Sequence, residues 1–251
     1  NRDLIYLGVS GDGDSASIGL GQFAHCLRRG VNMVYIVENN GVYGLTKGQF
    51  SATADQGSMS KKGVANTDSP LDMVAMALQL GASYVARGFS GDKAQLVPLI
   101  KGAIRHRGAA FLDVISPCVA FNNHAGSTRS YDYVREHNEA VNRLDVILPR
   151  ARIEADYAEG RMIEVEQHDG SVLRLRKLDA AYDPGDRIAA MNYVHAHQAN
   201  GEVVTGLLYV DADSHDLHGH LNTSAVAFNT LSTKELCPGA ATLDRINASL
   251  R

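Results

Sequence analysis

Asp12 stands between Gly11 and Gly13, and an Asn39-Asn40 pair follows later in the chain. A carboxylate and an amide oxygen are hard donors. Brought together at the ends of neighbouring strands, they make an oxygen site for Mg²⁺, whose octahedral shell phosphate oxygens and water complete. Gly11-Asp12-Gly13 leads into a helical pattern. Free backbone N–H groups and the helix dipole attract phosphate at such a place, and the glycines let the backbone come close. Taken alone, Gly-Asp-Gly is a surface turn more often than a site. The spacing of Gly11, Gly13 and Gly19 does not give the dinucleotide fingerprint G-x-G-x-x-G, and a phosphate-loop lysine is also absent.

The elements that would position these residues alternate regularly. Leu4 to Val9 reads as a buried strand ahead of the Gly-Asp-Gly turn. Ala16, Leu20, Phe23, Ala24 and Leu27 recur at the spacing of one amphipathic helix, closed by Gly30. Met33 to Val37 is a second strand, and from Gly41 to about Asp68 runs a loop rich in Gly, Ser, Thr and Lys. A loop that long inside a domain is usually functional. Ser69-Pro70 reads as a cap and first-turn proline before Leu71, Val74, Ala75 and Leu78; Tyr84 to Arg87 is a strand, Leu96 to Ala103 a helix, and Ala110 to Ile115 a strand. Strand, helix, strand, helix, strand predicts an α/β fold, a mostly parallel sheet covered by helices on both faces. Ligands of such sheets bind at the carboxyl ends of the strands, where Asp12 and Asn40 lie.

The second half reads differently. Met162 to Gln167 and Ser171 to Leu175 flank His168-Asp169-Gly170, a hairpin with an Asp-Gly turn; Arg187 to Gln198 reads as a helix and Val203 to Val210 as a strand, with an irregular tail after it. The expected organisation is a core over residues 1–125, whose N-terminal part lies upstream, and a C-terminal arm over 126–251 at a subunit interface. The 251 residues carry 24 Lys+Arg and 28 Asp+Glu, net charge −4, with 45% hydrophobic residues. No basic stripe offers nucleic acid a footprint, and the apolar runs fall far short of the roughly 20 residues a bilayer needs. Three widely spaced cysteines, Cys26, Cys118 and Cys237, rule out a disulfide scaffold and point to a reducing cytoplasm. His215, His218 and His220 read as a solvated loop rather than a metal site.

Gly-Asp-Gly at a strand end, a helix, a strand and then Asn-Asn resembles the signature of thiamine diphosphate enzymes. Residues 39–49, Asn-Asn-Gly-Val-Tyr-Gly-Leu-Thr-Lys-Gly-Gln, narrow the resemblance. The stretch is similar to one in the β subunits of 2-oxoacid:ferredoxin oxidoreductases, above all those acting on 2-oxoglutarate. So are residues 115–124, Ile-Ser-Pro-Cys-Val-Ala-Phe-Asn-Asn-His, and 131–137, Tyr-Asp-Tyr-Val-Arg-Glu-His. Gly206 to Val210 with Asp216-Leu217-His218 is similar to the family's closing segment.

The resemblance implies a thiamine diphosphate-binding fold and a decarboxylating oxidoreductase. A 2-oxoacid, coenzyme A and oxidised ferredoxin give acyl-CoA, carbon dioxide and reduced ferredoxin; from 2-oxoglutarate the product is succinyl-CoA. Carried over residue by residue, Asp12, Asn40 and the carbonyl of Val42 hold Mg²⁺ on the diphosphate, with Gly11 and Gly13 shaping the turn. Leu45 and Thr46 lie by the cofactor, and Lys47 binds the substrate's distal carboxylate. Cys118 is the last ligand of a 4Fe-4S cluster, which needs four thiolates. In the resembling subunits the other three lie upstream of Gly-Asp-Gly, so this chain is expected to be the C-terminal part of a longer subunit. The catalytic glutamate belongs to a pyrimidine-binding domain on an α subunit, so a heterodimer or a dimer of heterodimers is implied. Two alternatives stand beside this reading: a pyruvate or broad-specificity enzyme, with Lys47 as discriminator, and a non-catalytic thiamine diphosphate-binding assembly module.

Overall fold

Residues 4–60, 62–145, 162–166, 172–176, 182–237 and 239–250 are described by a computed structural model. Its first half runs β1 (Leu7–Gly11), α1 (Leu20–Arg28), β2 (Met33–Asn39), the two-residue strands β3 (Val42–Tyr43) and β4 (Gln49–Phe50), α2 (Met73–Gln79), β5 (Tyr84–Phe89), α3 (Lys93–Arg105) and β6 (Ala109–Ile115). The second half adds α4 (Tyr131–His137), β7 (Asn138–Ala140), β8 (Met162–Glu166), β9 (Val172–Arg176), α5 (Arg187–Ala199) and β10 (Val203–Val210). Six strands form one sheet in the order β1-β2-β6-β5-β10-β7. The first four are parallel, and β10 runs antiparallel to β5.

Alternation along the strands sorts the core into two layers. Val37, Val85 and Phe111 pack with Phe23 and Leu27 of α1, Val74 and Leu78 of α2 and Val194 of α5. On the opposite face Val34, Ile36, Ala86 and Leu112 meet Leu99 and Ala103 of α3. The sheet is therefore covered on both faces, as parallel strands with apolar residues at successive positions require. The ring of Phe23 meets Tyr35 and Phe111 edge-on at 5.5 and 5.2 Å, locking α1 to the sheet.

Several details depart from the sequence reading. Leu4 to Tyr6 precede the strand, which runs on to Gly11. The stripe from Ala16 to Leu27 is not one helix: Gly13–Ile18 is a π-helical turn, and α1 begins at Leu20. The Gly19 N–H bonds Asp14 O at 2.6 Å, and a Cβ on Gly19 would lie 2.8 Å from that oxygen, so only glycine permits the turn. The cap of α2 is Asp72 rather than Ser69, its Oδ1 accepting from the N–H groups of Val74 and Ala75 at 2.8 and 3.1 Å. Leu71 N–H is already bonded to Ala52 O at 2.8 Å, which keeps the Ser69-Pro70 segment outside the helix.

The division at residue 125 also falls elsewhere. β7 and β10 complete the main sheet, and the compact unit extends over Ile5–Leu217. Within it β8 and β9 pair antiparallel as expected, and their turn lies outside the described residues. The other unit, Asn1–Leu4 with His218–Arg251, holds helices Thr233–Leu236 and Ala240–Ser249 where an irregular tail was expected. Among the described residues no helix is long and apolar enough to cross a membrane.

Candidate active site

The carboxyl ends of β1 and β2 lie side by side, with Gly11 opposite Glu38. Asp12 follows β1 and is wholly buried. Its two oxygens are treated very differently. Oδ2 accepts from Gly41 N–H at 2.9 Å, from the Ser51 hydroxyl at 2.5 Å and from the Thr53 hydroxyl. Oδ1 is buried and meets no donor. A carboxylate oxygen shut away from water without a partner is costly unless a cation faces it. A carboxylate with an amide oxygen, Asp12 and Asn40, is the hard-oxygen chemistry that Mg²⁺ takes.

Asn39 and Asn40 divide their work. Asn39 is buried; its amide donates to Asp113 Oδ1 at 3.0 Å, and its Oδ1 accepts from Arg129 Nε at 3.2 Å. Asn40 Oδ1 accepts from Val42 N–H at 3.1 Å, and its carbonyl takes the Asn122 amide at 2.7 Å. Asp113 in turn accepts from Arg87 Nε at 2.8 Å, and Arg87 Nη2 reaches Asp72 Oδ1 at 3.0 Å. Burial pushes the Asp72 carboxyl up, but Arg87, the Ala75 and Val74 N–H groups and the Gln198 amide overcome it and hold it below the ordinary carboxylate value. Burial likewise opposes the Arg87 charge, and Asp72 and Asp113 restore it.

On the other side of the turn, Tyr43 OH donates to Gly13 O at 2.9 Å, and a Cβ on Gly13 would lie 2.4 Å from the Tyr43 ring. Glycine is required there because the ring is already in that space. Val42 is buried, whereas Leu45 is 98% exposed. Thr46 Oγ1 donates to Gln49 Oε1 at 2.5 Å. Lys47 is exposed and holds a left-handed φ of 79°, a conformation that costs a non-glycine residue energy and is typical of functional loops. Cys118 is half-buried against the same loop: a Cβ on Gly44 would lie 3.6 Å from its sulfur. A cleft of about 290 Å³, lined in part by Asn39, Arg87, Arg129, Tyr133 and Gln198, opens at the strand ends. Among the described residues no His/Cys/Asp/Glu group of three or more is arranged for a metal.

Residues 2–114 match the family described as thiamine pyrophosphate enzyme, C-terminal TPP binding domain. The matched stretch takes in β1, β2 and the whole loop between β2 and α2. The chain is 44% identical to the "2-oxoacid:ferredoxin oxidoreductase subunit beta" of Sulfolobus sp over 124 residues, 49% of this chain and 41% of the relative. It is 34% identical to the "2-oxoglutarate synthase subunit KorB" of Methanothermobacter thermautotrophicus over 166 residues, 65% of this chain and 57% of the relative. A solved structure, the 2-oxoglutarate:ferredoxin oxidoreductase of Magnetococcus marinus with 2-oxoglutarate, coenzyme A and succinyl-CoA bound, matches with a TM-score of 0.64 at 28% identity. That match covers 97% of this chain and 68% of that one. The chain therefore resembles the β subunits of 2-oxoacid:ferredoxin oxidoreductases, and it spans about two fifths to three fifths of the curated relatives' length.

The residues that surround Asp12 and Asn39 were not legible in the sequence. Ser51 and Thr53 stood in a loop marked only by composition, Arg87, Asp113 and Arg129 carried no signal, and Asn122 stood only as one residue of a family-like stretch. A Ser-x-Thr pair in a loop already suspected of function was the only available hint.

Proposed function

We propose that this chain is the cofactor-binding part of the β subunit of a thiamine diphosphate-dependent 2-oxoglutarate:ferredoxin oxidoreductase. The observation that carries this is the bare, buried Oδ1 of Asp12 at the end of β1, within a TPP-binding domain and one hydrogen bond from the residue after Asn40. Bound thiamine diphosphate supplies the nucleophilic carbon and the electron sink for decarboxylation. The residues of this chain hold and orient it. Asp12, Asn40 and the Val42 carbonyl clamp Mg²⁺ on the diphosphate, and the Gly11-Asp12-Gly13 turn admits it. Leu45 and Thr46 flank the cofactor, and the exposed apolar surface of Leu45 fits that role. Lys47 offers its ammonium to the distal carboxylate of a dicarboxylic 2-oxoacid. Cys118, against the same loop, would serve as one thiolate ligand of a 4Fe-4S cluster, which needs four and would supply one-electron chemistry. An α subunit supplies the pyrimidine-binding domain, and coenzyme A accepts the acyl group.

Titration of thiamine diphosphate and Mg²⁺ into the purified native complex tests the clamp. Asp12→Ala should abolish Mg²⁺-dependent cofactor binding; if binding persists, the site is not the one described. Lys47→Ala should raise KM for 2-oxoglutarate more than for pyruvate, and equal losses on both substrates would remove its role.

A further inference from the structure

The asymmetry at Asp12 has a chemical meaning that depends on proton accounting. Ser51 and Thr53 each carry one hydroxyl proton. Both are directed at Asp12 Oδ2. Thr53 Oγ1 also lies 3.1 Å from Asn39 Oδ1 and 3.0 Å from Ser51 Oγ, but its one proton goes to the much shorter contact with Asp12, while Asn39 Oδ1 accepts from Arg129 Nε. With the Gly41 N–H, Oδ2 receives three donors and its lone pairs are filled. Only Oδ1 is left.

We infer that Ser51 and Thr53 are positioning residues that restrict Asp12 to one-oxygen coordination and so make this site selective for Mg²⁺ over Ca²⁺; the inference rests on the reading of Asp12 as a metal ligand. Mg²⁺ demands near-ideal octahedral geometry with short bonds, whereas Ca²⁺ takes a larger, more flexible shell in which a carboxylate can bind through both oxygens. An Asp12 with Oδ2 fully engaged cannot rotate to offer a second oxygen. The two hydroxyls are themselves held in place. Ser51 N–H bonds Gly41 O at 3.1 Å, Thr53 N–H bonds Ser51 Oγ at 3.2 Å, and the Thr53 carbonyl accepts from Arg129 Nη2 at 3.0 Å. Thr53 is wholly buried and Ser51 nearly so, so water does not compete for Oδ2.

The test uses the native complex stripped of metal, with thiamine diphosphate binding followed by calorimetry at increasing Mg²⁺ or Ca²⁺. Thr53→Val keeps the shape and removes one donor; Ser51→Ala with Thr53→Val removes two. Outer partners of metal ligands are worth about 10–100-fold in affinity. The double variant should therefore lose about tenfold or more in the preference for Mg²⁺ over Ca²⁺, and Thr53→Ser should restore it. Asp12→Ala serves as the control for the site itself. If Asp12→Ala abolishes metal dependence while the double variant, with a wild-type melting temperature, keeps the wild-type preference, the inference fails and the site stands. A parallel loss of both metals that Thr53→Ser does not restore overturns it as well. If Asp12→Ala leaves metal dependence intact, the functional reading fails first.

Discussion

Arg87→Met isolates the charged cluster beneath the candidate site. Arg87 lies opposite Asp113 in the β5/β6 register, and both side chains are buried, at 7% and 0% exposure. Methionine keeps the apolar stem, so the cavity contribution is small. What is lost is the guanidinium. Among the described residues Asp113 keeps only the Asn39 amide at 3.0 Å, whereas Asp72, at 18% exposure, keeps its two backbone donors and Gln198. Removing one partner of a buried pair costs about 3–5 kcal/mol. For a unit of this size each kcal/mol moves Tm by roughly 2–4 °C, so a fall of roughly 6–20 °C is expected in thermal unfolding followed by circular dichroism. Asp113→Asn, which destabilises the wild type, should recover stability in the Arg87→Met background because it removes the stranded charge. The gap should also narrow in acid. Asp72 is held below its ordinary 3.8 in the fold, so it contributes stability above that value and loses it as pH falls through the folded value. Without Arg87 that depression shrinks, and wild type loses more than the variant below about pH 5. A Tm drop under about 3 °C, or Asp113→Asn adding to the damage, would refute the reasoning.

Gly13→Ala places a Cβ 2.4 Å from the Tyr43 ring and should displace the ring, break its bond to Gly13 O and cost about 1–3 kcal/mol; Tyr43→Leu in the same background should relieve the cost in a thermal melt. Burial lowers the His106 pKa below its ordinary 6.5, against the pull of Asp211, and its Nε2 lies 2.7 Å from Ser83 Oγ. A depressed folded value means stability that is present above 6.5 and lost as pH falls, so Tm should decline between about pH 7 and pH 5; His106→Gln should flatten that decline, and an unchanged slope would contradict the assignment.

What the sequence disclosed and what it hid follow the distance over which each feature is determined. Gly11-Asp12-Gly13 and Asn39-Asn40 were visible because each is a short run whose chemistry is complete within two or three residues. β5 and β6 were visible because a strand buried on both faces is largely apolar, whereas β1, also read as buried, is an edge strand whose Leu7 and Val9 are exposed. Val203 to Val210 was recognised as a strand but not as a member of the main sheet. Its composition says that it is buried, and only pairing with β5 says where and in which direction.

The same limit explains Asp72 and the Asp12 cage. Ser69-Pro70 and Asp72 are both sound caps by type, and distant partners separate them: Ala52 O takes the Leu71 N–H, and Arg87 reaches Asp72 from a strand 15 positions away. Ser51 and Thr53 meet Asp12 across 39 and 41 positions, through a loop with no periodicity to read. Their hydroxyls are ordinary until Gly41 N–H joins them on one oxygen. Selectivity at this site is therefore expected to reside in residues whose types are unremarkable, because it comes from how many donors converge on Oδ2 rather than from any single ligand. Asp12 and Asn40 would draw a cation, and the filled Oδ2 would favour a small one.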